Sequence, residues 1–320
     1  MRFRVLLTDD ITLRALKVFE AYENIDAERT GTLAEEDLAK IIGGYHGLVI
    51  RTPTRLTAAL LGQAANLKFI GRAGVGTDNI DVAAATALGI TVMNSPHANT
   101  ISTAEHTVAL VLSVARLIPH AHGSVVRGEW NRKAFRGVEL YGKTLGIIGL
   151  GAVGTEVAKR MLAMGMKVVA SDPNVSGEAA ASLGVEKVGL KELAGRSHVV
   201  TVHVPLDEST RGLIGEDELN DMRDGVLLVN CARGGVVDEA ALLAALETGK
   251  VAGVGLDVYE KEPPGENPLL DHPRSVFTPH IGAATVEAQV RVATDAAEAV
   301  AEALARGIIR NPVNDPPRPR

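Results

Sequence analysis

TLGIIGLGAVGTEVAKRM, residues 144–161, runs from an apolar stretch through three glycines into an amphipathic one. Gly149, Gly151 and Gly154 stand in the spacing G-x-G-x-x-G. A strand feeding that spacing into a helix is the dinucleotide-binding fingerprint. The first glycine permits a tight turn, the second lets the backbone approach a pyrophosphate, and the third lets the helix close on the strand. The N–H groups and dipole of the helix N-terminus then meet the phosphates. In a chain with 33 glycines the same spacing also arises in turns that bind nothing, and the next strand decides between the two. KVVASD (167–172) ends in Asp172, eighteen residues after Gly154, close to the ~20-residue offset at which a carboxylate meets the adenosine ribose. A carboxylate there repels a 2′-phosphate, so the pattern favours NAD over NADP.

Outward from this motif, short β-rich runs alternate with helical stretches in two series, the pattern of parallel sheets with helices on both faces. VLLT (5–8), GLVI (47–50), KFIGRA (68–73) and TVMN (91–94) form the first series. The second holds TLGIIGL (144–150), KVVASD, HVVTVHV (198–204), GVLLVN (225–230), VAGVGLDV (251–258) and SVFTPH (275–280). The apolar stretch 102–126 reads as one long helix suited to joining domains rather than lying across a sheet, and 285–307 reads as a closing helix before the proline-rich tail NDPPRPR. The 320 residues suffice for two domains. A net charge of −6 argues against a nucleic-acid partner. The single cysteine, Cys231, forms no intrachain disulfide and points to a reducing, cytoplasmic setting. No stretch reads as a secretory signal or a membrane span, and no metal is called for.

Three stretches of the second series end strands at the edge where doubly wound sheets bind ligands: VNCARGGVVDE (229–239), LDVYEKEPP (256–264) and TPHIGAAT (278–285). Hydride exchange with a 2-hydroxy acid needs a cation to grip the carboxylate and polarise the carbon–oxygen bond, and Arg233 has bidentate geometry for it. It needs a base for the hydroxyl proton, and His280 titrates in the right range. It needs a carboxylate to orient the imidazole, for which Glu262 is the candidate and Glu260 an alternative in the same charged turn. Singly, each has an ordinary structural explanation; together, after a cofactor motif, they form a site.

These residues, with GRAGVGTDNID (71–81), NSPHANTISTAEH (94–106) and HVPLDEST (203–210), resemble the D-isomer-specific 2-hydroxyacid dehydrogenase family over nearly the whole chain. The resemblance places Arg233, Glu262 and His280 at the family's catalytic arginine, glutamate and histidine. It implies two Rossmann-like or flavodoxin-like parallel-sheet α/β domains, with the NAD-binding domain (99–285) inserted into the substrate domain (1–98 and 286–320) and the active site in a cleft. It further implies cofactor contacts from Val75, Gly149, Gly151, Ala152, Val153, Gly154, Asp172, His203, Val204, Pro205, Thr210, Cys231, Ala232, Arg233, Asp257, His280, Gly282 and Ala283. Asp257 falls on the carboxamide side of the nicotinamide, and Cys231 reads as a pocket wall rather than a nucleophile. Substrate contacts are implied from Arg51, Arg72, the Gly74–Val75–Gly76 turn, Arg233 and His280, the turn forming an anion-binding nest.

Arg51 and Arg72 suit a branch of the family whose substrate carries a phosphate, yet either also fits the carboxylate or a neighbouring acid. Glyoxylate or hydroxypyruvate reductases and D-lactate-type enzymes share the same catalytic set, and NAD-sensing corepressor-like binding proteins share the fold. The basic cluster Arg132, Lys133 and Arg136 falls near the family's dimer contact, where a homodimer or homotetramer is expected, or is a solvated face. The chain ends where longer members continue into a regulatory domain, so feedback through such a domain is not expected.

Overall fold

The computed structural model describes residues 2–317; Met1 and the end of the proline-rich tail, 318–320, lie outside the described residues. The chain divides into two compact units, Met1–Asn99 with Ala284–Arg320, and Thr100–Ala283.

The first unit is built on five strands, β1 Phe3–Leu7, β2 Ile25–Arg29, β3 Gly47–Ile50, β4 Phe69–Arg72 and β5 Thr91–Asn94, in the order β2-β1-β3-β4-β5 with every pair parallel. Four of the five strands are apolar runs of the first series. The exception, β2 (IDAER), has three of its five residues exposed, as an edge strand tolerates. Its charges mask it in the sequence. The 2-1-3-4-5 order is the flavodoxin-like one, with its switch point between β1 and β3. The helix Val286–Arg306 covers one face, packing Ala293, Ala297 and Val300 with Val5, Leu7, Val49 and Met93. Leu6, Leu48, Ile50, Ile70 and Val92 point to a second core on the other face, the alternation expected of strands buried on both sides.

The second unit has seven strands, β6 Thr144–Ile148, β7 Lys167–Ser171, β8 Glu186–Lys187, β9 Val199–Val202, β10 Val226–Asn230, β11 Val251–Leu256 and β12 Ser275–Phe277. Their order is β12-β11-β10-β9-β6-β7-β8, again all parallel. The order reverses between β6 and β9, so the loops leaving those strands flank the crevice where such sheets take ligands. Leu145, Ile147 and Val229 enter one core, and Ile148, Val200, Val202 and Leu228 the other. Each such fully buried side chain contributes about 1.5–3 kcal/mol.

The stretch 102–126 differs from its sequence reading in two ways. It is two helices, Thr100–Arg116 and Ile118–Val126, bent by 64° at Leu117, whose φ is 53°. Pro119, in the first turn of the second helix, lacks the N–H that a continuous helix needs. The first helix also lies across its own sheet: Leu110 and Val114 rest where side chains on Gly253 and Gly255 of β11 would collide with them. Among the described residues no single helix is long and apolar enough to cross a membrane; the bent pair passes that test together, by length and composition.

Candidate active site

The glycine turn leaves β6 with Gly149 at φ 93°, left-handed backbone that glycine adopts without strain. A side chain on Gly149 would come within 2.9 Å of the His203 carbonyl carbon and the Val204 side chain. That crowding is why the loops after β6 and β9 can meet, and His203 N–H donates to the Ile148 carbonyl at 2.7 Å. A side chain on Gly154 would run into the Gly149 carbonyl oxygen, so the helix Ala152–Ala163 closes on the turn only if this position is bare. Gly151, its N-cap, faces open space, with nothing within 4 Å of where a Cβ would sit. Ala152 and Val153 follow as its first residues. The turn therefore offers a helix N-terminus with no side chain blocking the approach of an anion, which fits a dinucleotide.

Asp172, half-buried just past β7, accepts from Leu150 N–H at 2.8 Å and from Asn174 N–H at 2.8 Å. The residue expected to read the ribose thus also pins the glycine turn. After β9, Thr210 ties the loop to itself, donating to the Pro205 carbonyl at 2.6 Å and accepting from Asp207 N–H at 2.9 Å. Burial pushes the His203 imidazole down to about 4, so it is neutral.

β10 ends in Asn230, which is 2 % exposed. Its side chain accepts from Ala232 N–H at 2.9 Å and donates to the Arg233 carbonyl at 2.8 Å, bracing the turn that presents Arg233. Bonds of this kind contribute about 1 kcal/mol each. Gly234 presses on the Tyr259 carbonyl so closely that a Cβ would overlap it, which seats the Arg233 loop against the one carrying Glu262. Between Asn230 and Ala232, Cys231 is buried. Burial, reinforced by the Asp257 charge and opposed by Thr107, pushes its thiol up to about 12, which suits a wall and not a nucleophile.

His280 Nδ1 lies 2.7 Å from Glu262 Oε2, and the other oxygen of Glu262 accepts from Tyr259 N–H at 3.2 Å. Burial pushes the Glu262 carboxyl up, but the His280 hydrogen bond and charge, the Tyr259 N–H and the Arg233 charge outweigh it and hold the pKa below the usual value. The three candidate residues are thereby linked electrostatically, with Glu262 in the middle. Glu260 faces elsewhere, its carboxylate accepting from Glu239 N–H at 3.2 Å.

Asp257, 1 % exposed just past β11, holds the loop that carries His280. It accepts from the Thr278 hydroxyl at 2.6 Å, Ile281 N–H at 2.8 Å and Gly282 N–H at 2.7 Å, and His106 Nε2 lies 3.3 Å away. Burial pushes its carboxyl up, and these donors more than reverse it, so the pKa is lowered. Asp257 is engaged on both oxygens by the protein itself. Asn230, Thr278 and His106 are supports that the sequence reading did not name. The signal for Asn230 is a polar residue closing an otherwise apolar strand, and His106 lies in a quoted motif without an assigned role.

The remaining candidates, Arg51, Arg72 and Gly74–Val75–Gly76, belong to the first unit, in the loops leaving β3 and β4. Arg72 donates to the Ala73 carbonyl and the Thr52 hydroxyl, each at 3.0 Å. Its guanidinium lies where a Cβ on Gly74 would be, and Gly74 has φ 146°. The exposed Val75 has its carbonyl held by Asn94 Nδ2 at 2.7 Å. Among the described residues no group of three or more His, Cys, Asp or Glu is arranged to hold a metal ion.

Residues 108–282 match the family model described as D-isomer specific 2-hydroxyacid dehydrogenase, NAD binding domain, a span inside the second unit. The chain is 50% identical over 314 residues to a D-3-phosphoglycerate dehydrogenase of Archaeoglobus fulgidus, covering 98% of this chain and 59% of that one. It is 45% identical over 314 residues to the Bacillus subtilis protein of the same name, covering 98% and 59%. The chain thus spans about three fifths of the length of these curated relatives. Among solved structures, a glyoxylate reductase from Paecilomyes thermophila superposes with TM-score 0.88 at 34% identity, covering 98% of each chain. A D-lactate dehydrogenase from Aquifex aeolicus, complexed with NAD and lactic acid, superposes with TM-score 0.79 at 30% identity over 95% of this chain and 96% of that one. A glycine turn open to a dinucleotide, a histidine–glutamate pair under an arginine's charge and these likenesses lead to one assignment: the chain belongs to the D-isomer specific 2-hydroxyacid dehydrogenase family.

Proposed function

We propose that the chain interconverts a D-2-hydroxy acid and its 2-oxo acid with NAD as partner, and that D-3-phosphoglycerate is the hydroxy acid, on the way to L-serine. The observation that carries this reading is the 2.7 Å His280–Glu262 contact with Arg233 acting on the same carboxylate. In this reading the nicotinamide supplies the hydride acceptor. Arg233 grips the carboxylate and polarises the carbon–oxygen bond. His280 Nε2 takes the hydroxyl proton, while Glu262 fixes the ring through Nδ1 and balances the imidazolium that forms. Gly149, Gly151 and Gly154 bring the backbone to the pyrophosphate and Asp172 selects the ribose. His203, Val204, Pro205, Thr210, Cys231, Ala232, Asp257, Gly282 and Ala283 contact the cofactor, Asp257 on the carboxamide side of the nicotinamide. Arg51, Arg72 and the N–H groups of Gly74, Val75 and Gly76 are further candidate substrate contacts. The lone buried thiol supports a cytoplasmic setting.

The test is oxidation of NADH by the purified chain with phosphohydroxypyruvate, hydroxypyruvate, glyoxylate and pyruvate. A kcat/KM highest for phosphohydroxypyruvate is expected. Preference for glyoxylate or hydroxypyruvate selects the reductase reading, which the likeness to a glyoxylate reductase favours second. A chain that binds NADH but turns over none of the four is a binding protein, and the proposal falls. We also propose a homodimer: Ile118, Val125, Val126, Trp130 and Tyr141 are half or more exposed within one short segment of the second unit, an apolar surface that a partner would cover.

A further inference from the structure

His106, near the start of the helix Thr100–Arg116, has no part in the chemistry assigned above, yet its ring meets the loop of the proposed base at both ends. Its Nε2 lies 3.0 Å from the Thr278 hydroxyl and 3.3 Å from Asp257 Oδ1. On the other side of His280, a Cβ on Gly282 would sit 3.1 Å from Asp257 Oδ2, 3.6 Å from Thr103 Cγ2 and 3.8 Å from His106 Cδ2. Helix and loop therefore meet along one edge of the imidazole, from Nε2 to Cδ2. His280 stands midway between the two contacts, with its backbone in the left-handed region at φ 54°. Backbone of that kind persists only where its surroundings impose it.

The hydrogen bonds assign the ring's proton. Thr278 has a single hydroxyl hydrogen, and it is donated to Asp257 Oδ1 at 2.6 Å. Its oxygen can then meet Nε2 only as an acceptor, and the carboxylate of Asp257 is an acceptor as well. Nε2 thus carries a hydrogen and shares it between the two. Among the described residues four side-chain or backbone donors reach the Asp257 carboxylate, and Thr278, Ile281 and Gly282 belong to the His280 loop itself. His106 is the donor that comes from another element. Asp257 is 1 % exposed, and a buried carboxylate short of a donor bears its desolvation unrelieved. An apolar side chain would fill the space beneath Gly282 equally well, but it would leave both Thr278 and Asp257 short, and the loop would shift to make up the loss.

We propose that His106 is a positioning residue, whose Nε2–H, shared between Thr278 and Asp257, fixes the loop 278–282 so that His280 is held in place for proton transfer. This rests on the reading above in which His280 is the base.

The test is steady-state reduction of the 2-oxo acids named above by wild type, His106→Leu and His106→Gln. NADH affinity, melting temperature and hydrogen exchange of the peptide holding residues 278–282 are measured alongside. His106→Leu removes the donor and keeps the bulk, whereas in His106→Gln the side-chain amide can stand where Nε2 stands and donate in the same way. In His106→Leu, kcat for the preferred acid should fall about 10–100-fold, with its KM and the NADH affinity held within about threefold. Exchange across 278–282 should quicken. His106→Gln should recover kcat to within about fivefold of wild type. His106→Asn, one methylene too short to reach Thr278, should behave like His106→Leu, and it decides the matter if the leucine variant does not fold. An unchanged kcat in the variants lacking the donor, or no recovery in His106→Gln, overturns the proposal. So does a loss that falls on NADH affinity as heavily as on kcat. A wild type that prefers another acid to phosphohydroxypyruvate refutes the substrate reading alone, and kcat for that acid then judges His106. A wild type inert with every acid refutes the reaction, and exchange then judges the hold on the loop: faster in His106→Leu upholds it, unchanged overturns it.

Discussion

His280 holds its backbone at φ 54°, a conformation that costs a residue with a Cβ about 1–2 kcal/mol. Asp257 holds the loop in it, accepting from the Thr278 hydroxyl before the histidine and from the N–H groups of Ile281 and Gly282 after it. The ring is then set by Glu262. His280→Ala should cut turnover by roughly 10²–10⁴ while NAD affinity, read by calorimetry, stays as in wild type; unchanged turnover removes His280 from the mechanism. Glu262 carries a second expectation. Its pKa is held below the ordinary 4.5, so the folded state gains from its ionised form above that value and loses the gain as pH falls through the lower folded one. The melting-temperature advantage of wild type over Glu262→Gln should be full near pH 7 and shrink as the pH falls below 4.5; an advantage that grows on acidification contradicts it. Arg233, Glu262 and His280 were legible because their residue types are those the chemistry demands. Asn230 and His106 were not, because Asn230 acts on the backbone of its own turn and His106 on the buried side chains of Asp257 and Thr278, and such supports look in sequence like any other polar residue.

Each glycine of the fingerprint has its own reason in space: Gly149 at positive φ, Gly154 against a carbonyl, Gly151 facing nothing. Spacing alone could state those reasons but not that all three hold at once. Asp172→Ala should lower the preference for NAD over NADP by about tenfold or more in the ratio of kcat/KM values. It should also weaken NAD binding itself, because Leu150 N–H loses its acceptor. Unaltered selectivity would assign the ribose to another group. At this scale the strands read well wherever they were apolar on both faces. β2 and β8 escaped because their exposed charges suit a sheet edge. The helix break at Leu117 was carried by one residue, Pro119, inside a stretch whose periodicity argued for continuity.

The two parallel sheets follow from the two βα series. The exposed apolar side chains scattered between Ile118 and Tyr141 carry the proposed dimer contact. Trp130 is 80 % exposed and Val126 71 %. Trp130→Asp with Val126→Asp should convert a sedimenting dimer into a monomer without lowering NAD affinity. A wild type that sediments as a monomer, or a variant that stays dimeric, removes this face as the contact. One consequence follows from the helix Val286–Arg306, which roofs a core begun by residues 3–7. During synthesis the second unit, a continuous stretch, has all its parts once Ala283 has been made. The strands emerging from the ribosome first are denied their roof until the last of these helical residues follows. The core of the first unit therefore closes only after the second unit has all the residues it needs to fold.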